Sequence, residues 1–392
     1  MSGFSKTLKR EASFLAGAVT TAFFYLAGHI LLQPSAGLLA QIFSFVWIFS
    51  VMLWCAFGVV RHADCLAVKL GEPYGTLILT LSVIGIEVSL IISIMLTGGS
   101  NEPLARDTML AVLNIVLNGM VGISLLLGGL KYGEQPFNTQ GARSFLSVLI
   151  PLATFSLILP RYTTSTADPS LSTGQQISFA LMISALYGVF LATQSVRHKS
   201  FFLQPKPHSG VALSFLMAKD ELEDEKHAPH EDDHDHDHDL EIFSTSYHAV
   251  FLILTMLPIV LLSKKFAVLV DFGIASFGMP AAFSGVLVAL LVLTPEGLGS
   301  FRAALSNRLQ RSVNICLGSA LATIGLTVPA VLIAAGIFDI HIVLGVKDTD
   351  MILLLLTLIL SIITFTGSRT NALQGAVHLV LFIFYFILIF QP

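Results

Sequence analysis

Two glutamates stand inside long apolar runs: Glu87 in LTLSVIGIEVSLIISI and Glu296 in LLVLTPEGLGS. A charged side chain at bilayer depth costs at least about 2.5–3.5 kcal/mol, so an ionisable residue there marks a functional site by default. The two positions match. Glu87 follows Pro73 by 14 residues and Glu296 follows Pro280 by 16. Gly85 precedes Glu87, and Pro295 and Gly297 flank Glu296. Such neighbours predict a local break in the helix, which turns backbone carbonyls toward a cavity. Oxygen ligands of this kind suit Ca²⁺, and no Cys or His stands near either glutamate to favour a softer metal. Two carboxylates in one cavity repel each other when both are ionised. A bound cation relieves the repulsion, and so does protonation. Two mutually exclusive ways to neutralise one site are the basis of cation/proton exchange. The competing reading is a pair of structural glutamates, hydrogen-bonded between helices.

The elements that must carry these residues are membrane helices. The 392 residues are 54% hydrophobic and only 12% charged, about half the charge of an ordinary soluble protein, and the mean hydropathy is +0.81. The apolar runs are continuous rather than alternating, which argues against a β-barrel and for helices. Cys55, Cys65 and Cys316 lie far apart and read as packing residues. The fold class is therefore all-α and polytopic. About eleven spans are predicted, near 13–33, 38–60, 73–97, 107–130, 143–160, 174–195, 246–263, 277–299, 312–335, 350–367 and 371–390. With a cytoplasmic N-terminus, 16 of the Lys and Arg residues fall on the cytoplasmic side and 5 on the other, as the positive-inside rule requires. The pair Lys264–Lys265 falls on the wrong side in this count.

After the first span, five spans precede the one long polar segment and five follow it. A unit with an odd number of spans must insert its second copy upside down, so two inverted repeats are expected, with the site between them. The predicted boundaries are a tail and first helix at 1–37, a first repeat at 38–195, a cytoplasmic loop at 196–245 and a second repeat at 246–392.

A resemblance to a known family rests on four motifs. GEPYGTLILTLSVIGIE, from Gly71, resembles the first signature of the calcium/cation:proton exchangers of the cation/calcium exchanger superfamily. GGLKYGEQPFN, Gly128 to Asn138, is similar to the loop after that family's third helix. GSALATIGLTVP, Gly318 to Pro329, resembles the matching helix of the second repeat, and GSRTNALQGA, Gly367 to Ala376, the approach to the last helix. The resemblance covers about residues 40–391 and is nearest to the bacterial sodium/calcium:proton antiporters. It implies an antiporter in the bacterial inner membrane, with Glu87 and Glu296 as the shared cation- and proton-binding residues. The chain departs from the family's Gly-Asn pair before each glutamate, with Val83–Ile84 in the first repeat and Val292–Leu293 in the second. Ala322 replaces a usual glutamine. Fewer polar ligands imply a site that accepts Na⁺ or K⁺ as well as Ca²⁺.

Other polar residues are weaker candidates. Asn118, spaced four from Asn114, and Ser319, spaced with Thr323 and Thr327, are pathway candidates, although such groups often only bond across helices. Glu72 reads equally as an access ligand or as an interfacial charge. His29 and His378 read as packed side chains. The segment KDELEDEKHAPHEDDHDHDHD, Lys219 to Asp239, holds a candidate regulatory cluster: Asp233, His234, Asp235, His236, Asp237 and His238. A solvated linker is the plainer reading of such a run. The functional expectation is a secondary antiporter exchanging Ca²⁺ or Na⁺, and K⁺ by extension, for protons by alternating access. It is not an enzyme and needs no cofactor. Its partners are the lipid bilayer and inorganic cations, without nucleic acid. The rival readings are a zinc or other divalent-metal transporter using the His-rich loop, and a passive cation channel.

Overall fold

The computed structural model describes residues 10–71, 74–97, 102–205 and 243–391. Glu72 and the acidic cluster from Asp233 to His238 lie outside the described residues. The first helix, α1, is Ala12–Leu26. At 15 residues it is roughly 22 Å long, shorter than the hydrocarbon core, and a separate short turn at His29–Leu32 follows it. His29 is exposed rather than packed. Among the described residues, ten further helices are long and apolar enough to cross a membrane. In the first half these are α2 (Leu38–Leu70), α3 (Tyr74–Thr97), α4 (Leu104–Tyr132), α5 (Thr139–Arg161) and α6 (Thr173–Ser195). In the second they are α7 (Thr245–Phe277), α8 (Phe283–Leu305), α9 (Leu309–Phe338), α10 (Asp348–Thr366) and α11 (Ala372–Phe390).

These ten helices form two inverted five-helix repeats, with α1 as the extra N-terminal helix. Each repeat opens on a 33-residue helix, and α2 and α7 pack on each other. Each second helix carries one of the glutamates. Each third helix contains a π-helical turn, Ile115–Met120 in α4 and Thr323–Thr327 in α9. The halves interlock because α8 lies on α4 and α3 lies on α9, so each glutamate helix meets the third helix of the other repeat.

Both ends of the bundle are tied. At one end, here the basic end, Lys131 Nζ and the Tyr132 hydroxyl both donate to the Leu305 carbonyl, at 2.8 and 2.7 Å. A short strand β1 (Glu134–Pro136) pairs antiparallel with β2 (Arg369–Asn371). At the opposite end Arg106, paired with its neighbour Asp107, donates from Nη1 to the Gly345 carbonyl at 3.3 Å, and Arg161 grips Asp348 at 2.8 Å. Helix α11 rides directly on the backbone of α4. A Cβ at Gly375 would stand 2.5 Å from the Leu126 nitrogen and 2.7 Å from the Gly122 oxygen, the small-residue contact typical of membrane helices.

Two further expectations fail. Lys264 and Lys265 do not lie in a loop; they are part of α7, which continues to Phe277. They fall about 30 Å along that helix, where long side chains can reach an interface. Lys265 Nζ sits 4.8 Å over the Tyr25 ring. The helix is also unbroken at both glutamates. Pro295 lies inside a continuous α8, and Glu87 lies inside a continuous α3. A proline deletes one backbone bond and crowds the carbonyl four residues back, yet packing on both sides holds α8 in register. Irregular backbone occurs one helix later, in the π turns of α4 and α9, and also at the ends of α5 and α6.

Candidate cation and proton site

Ser319, Thr323 and Thr327 follow one another at four-residue spacing, which puts three hydroxyls on one stripe of α9. The stripe serves both glutamates. Thr323 Oγ1 donates to Glu87 Oε2 at 3.2 Å and Thr327 Oγ1 donates to the same oxygen at 3.0 Å. Ser319 Oγ donates to Glu296 Oε2. Roughly 6 Å of helical rise separates Ser319 from Thr323, so the carboxylates stand about one turn apart along α9. Glu296 is within electrostatic range of Glu87.

The two carboxylates differ in surroundings. Glu87 is 1% exposed, and its Oε1 is buried with no hydrogen-bond partner. A buried carboxylate oxygen without a donor is costly. Its lone pairs are free to take a proton or a cation. Glu296 is only partly buried. The walls around the pair are apolar and tight. Met256 of α7 lies against Gly85, with its methyl 3.1 Å from where a Cβ would be, and the Tyr187 ring of α6 closes on Gly325 in the π turn. Met120, at the end of the α4 π turn, faces Gly297 beside Glu296.

Of the residues singled out from the sequence, Glu87, Glu296 and Ser319 are brought together. Asn118 goes elsewhere. Its Nδ2 donates to Thr357 Oγ1 at 2.8 Å and Asn114 Oδ1 at 3.1 Å, and its Oδ1 faces His378 Nδ1 at 3.3 Å. His378 is fully buried and also bonds Thr364, at 2.9 Å, which matches the packed, satisfied histidine expected from the sequence. The polar stripe of α4 thus knits α4, α10 and α11, while that of α9 serves the glutamates. The two third helices share a π turn but not their side-chain chemistry.

One acid near the site escaped the sequence reading. Asp64, near the end of α2, acts electrostatically on Glu296, and Arg311 acts on Asp64. Asp64 lies just beyond the span predicted at 38–60, among Arg61, His62 and Lys69, where charged side chains are ordinary. Only the packing of α2 against α8 brings it into range.

Comparison with known proteins gives a consistent answer. The sodium/calcium exchanger protein family matches residues 40–196 and 247–391. The sodium-potassium/proton antiporter ChaA of Escherichia coli (strain K12) is 40% identical over 339 residues, 86% of either chain. The Ca²⁺/H⁺ antiporter of Aphanothece halophytica is 21% identical over 271 residues, 67% of this chain and 68% of that one. Among solved structures, native YfkE superposes with a TM-score of 0.70 at 18% identity, covering 97% of this chain and 100% of that one. The H⁺/Ca²⁺ exchanger CAX superposes with a TM-score of 0.63 at 13% identity, covering 97% and 88%. The match to both halves of the chain, joined to the interlocked repeats and the two glutamate helices, places this multi-pass membrane protein in the sodium/calcium exchanger protein family.

Proposed function

We propose that the chain is a secondary active antiporter that carries Ca²⁺ or Na⁺, and K⁺, against protons across the bacterial inner membrane. Glu87 and Glu296 are the shared cation and proton ligands. The observation that carries this reading is the single hydroxyl stripe of α9, which hydrogen-bonds both carboxylates and leaves Glu87 Oε1 without a donor. With a cation between them, both carboxylates are ionised and the cation offsets their repulsion. With the cation gone, protons neutralise them. One site cannot hold both loads, and that exclusion couples the two fluxes. The repeats at 38–195 and 246–392 alternate access by moving against each other around the site. The missing polar neighbours of the glutamates, Val83–Ile84 and Val292–Leu293, reduce the oxygen count around the ion. That fits monovalent cations beside Ca²⁺, and the sodium-potassium/proton antiporter ChaA is a relative of matching kind.

The test is Glu296→Gln and, separately, Glu87→Gln in acid-loaded vesicles containing a pH-sensitive dye. Each substitution keeps the size of the side chain and removes its charge and its titration. Addition of Ca²⁺, Na⁺ or K⁺ outside dissipates the pH gradient in the wild-type protein, and both variants lose this response. Retention of near wild-type dequenching in either variant makes that glutamate structural. Cation flux that persists without proton movement favours the channel reading, and a response to Zn²⁺ alone favours the zinc-transporter reading.

A further inference from the structure

A second group of buried titratable side chains lies apart from the exchange site, where α1, α2 and α7 meet at the basic end. Glu11 precedes α1, His62 lies on α2, and Tyr247 and His248 lie on α7. Both histidines are fully buried and Glu11 is 3% exposed. Glu11 Oε1 accepts the Tyr247 hydroxyl at 2.6 Å. Glu11 Oε2 accepts Arg61 Nη2 at 2.8 Å and faces His62 Nε2 at 3.0 Å. The two rings face each other, His62 Nδ1 to His248 Nδ1, at 3.1 Å. On its far side, His248 Nε2 accepts the backbone N–H of Phe243 at 3.0 Å.

These contacts fix the protons. A backbone N–H can only donate, so His248 Nε2 is bare and its proton sits on Nδ1. That N–H points at His62 Nδ1, which is therefore bare. The proton of His62 sits on Nε2 and goes to Glu11 Oε2, and Arg61 Nη2, 3.1 Å from that nitrogen, directs its own N–H to the same Glu11 oxygen. The chain of bonds closes only when both rings are neutral. A further proton on His62 sets two N–H groups face to face across 3.1 Å. A further proton on His248 sets one against the Phe243 N–H. The cations around the rings oppose such a proton, and the Glu11 carboxylate favours it. Arg10, Arg61 and Lys69 act on the rings, Cys65 is buried nearby, and among the described residues Glu11 is the one carboxylate in hydrogen-bonding contact with them. Burial works to raise the proton affinity of Glu11, but the Tyr247 hydroxyl, Arg61 and His62 outweigh it and hold the carboxyl below its usual range. Its charge is already committed to these partners.

We propose that this node is a regulatory proton-binding site, distinct from the exchange site, whose protonation at His62 or His248 breaks the contact among α1, α2 and α7. A closed state that binds no extra proton here gives way, as pH falls, to an open state that binds one or two. Because α2 and α7 are the opening helices of the two repeats, the node fixes their relative position at the basic end near neutral pH and releases it in acid.

The test reads the helices directly and does not depend on exchange. Spin labels are placed on lipid-exposed Val19 of α1 and Val250 of α7, which are 67% and 53% exposed. The native cysteines are buried and unreactive to the label. Distances are measured in the full chain from about pH 8 to about pH 5, on either side of the ordinary histidine range near 6.5. They are measured again in the Glu296→Gln background, where exchange has no bearing on the result. The separated conformer is expected to rise at least about fivefold in acid, and this rise is expected to vanish in His62→Gln/His248→Gln. An unchanged distance distribution across that range overturns the proposal. So does an acid response that survives in the double variant.

Discussion

Replacing Thr327 and Thr323 by valine tests whether the stripe on α9 tunes the exchange site. Valine keeps the branched shape and deletes only the hydroxyl. Glu87 Oε2 accepts one hydrogen bond of 3.0 Å and one of 3.2 Å from these residues, both of ordinary length. A hydrogen bond to a charged group is worth about 1.5–3 kcal/mol, and the lower end fits these distances. The ionised carboxylate thus loses about 1.5 kcal/mol with each hydroxyl, while the protonated form loses less. A difference of 1.4 kcal/mol is roughly tenfold. Protons and cations compete for the same carboxylate, so the half-saturating cation concentration at fixed pH should rise about tenfold for Thr327→Val. The rise should be somewhat smaller for Thr323→Val. The double variant should exceed either single one but fall short of their product, because both donors share one oxygen. Raising the pH by about one unit should restore the affinity of a single variant. The assay is the same vesicle dequenching, titrated with Na⁺ and with Ca²⁺ at several fixed pH values. If the double variant keeps its half-saturating concentration within about twofold at every pH, the hydroxyls do not act on a working ligand, and the role given to Glu87 fails with them.

Two further outcomes follow from the packing and the charge. Gly375→Leu drives a side chain into the α4 backbone, where a Cβ alone would stand 2.5 Å from the Leu126 nitrogen; it should cost about 2–3 kcal/mol and lower the melting temperature in detergent, whereas Gly174→Ala, with nothing within 4 Å of the new Cβ, should stay within about 0.5 kcal/mol. Deleting residues 219–239 should leave exchange measurable in vesicles, with altered cation affinity or pH dependence, since that charge lies outside every span; complete loss of exchange in a well-inserted deletion protein would contradict a tuning role.

Much of the molecule is written in its hydropathy. Continuous apolar runs near 20 residues dictate helices at any position in the chain, because a backbone in hydrocarbon has no other way to satisfy itself. Hence ten long spans and the odd five-helix unit could be read directly, though the first predicted span is only the short α1, and so could Glu87 and Glu296, which are conspicuous because apolar residues surround them. The ends of helices were less legible. Residues 61–70 of α2 and 264–277 of α7 contain enough charge to resemble loops, yet they extend the helices because neighbouring helices and interfaces accommodate the polar side chains.

What the sequence could not determine is which side chains meet. Glu87 and Thr327 are 240 positions apart, and only the crossing of α3 onto the third helix of the other repeat makes them partners. Asn118 and Ser319 look equivalent as polar residues in third helices, but one turns toward α10 and α11 and the other toward Glu296. Periodicity fixes a face of a helix; the neighbour against that face is decided by tertiary packing. Proline and glycine beside Glu296 signalled a break that α8 does not make, because local propensity is weaker than the packing that holds the helix. The node of Glu11, His62 and His248 joins three segments that are individually unremarkable in sequence. Its chemistry exists only because α1, α2 and α7 converge and exclude water from the space between them.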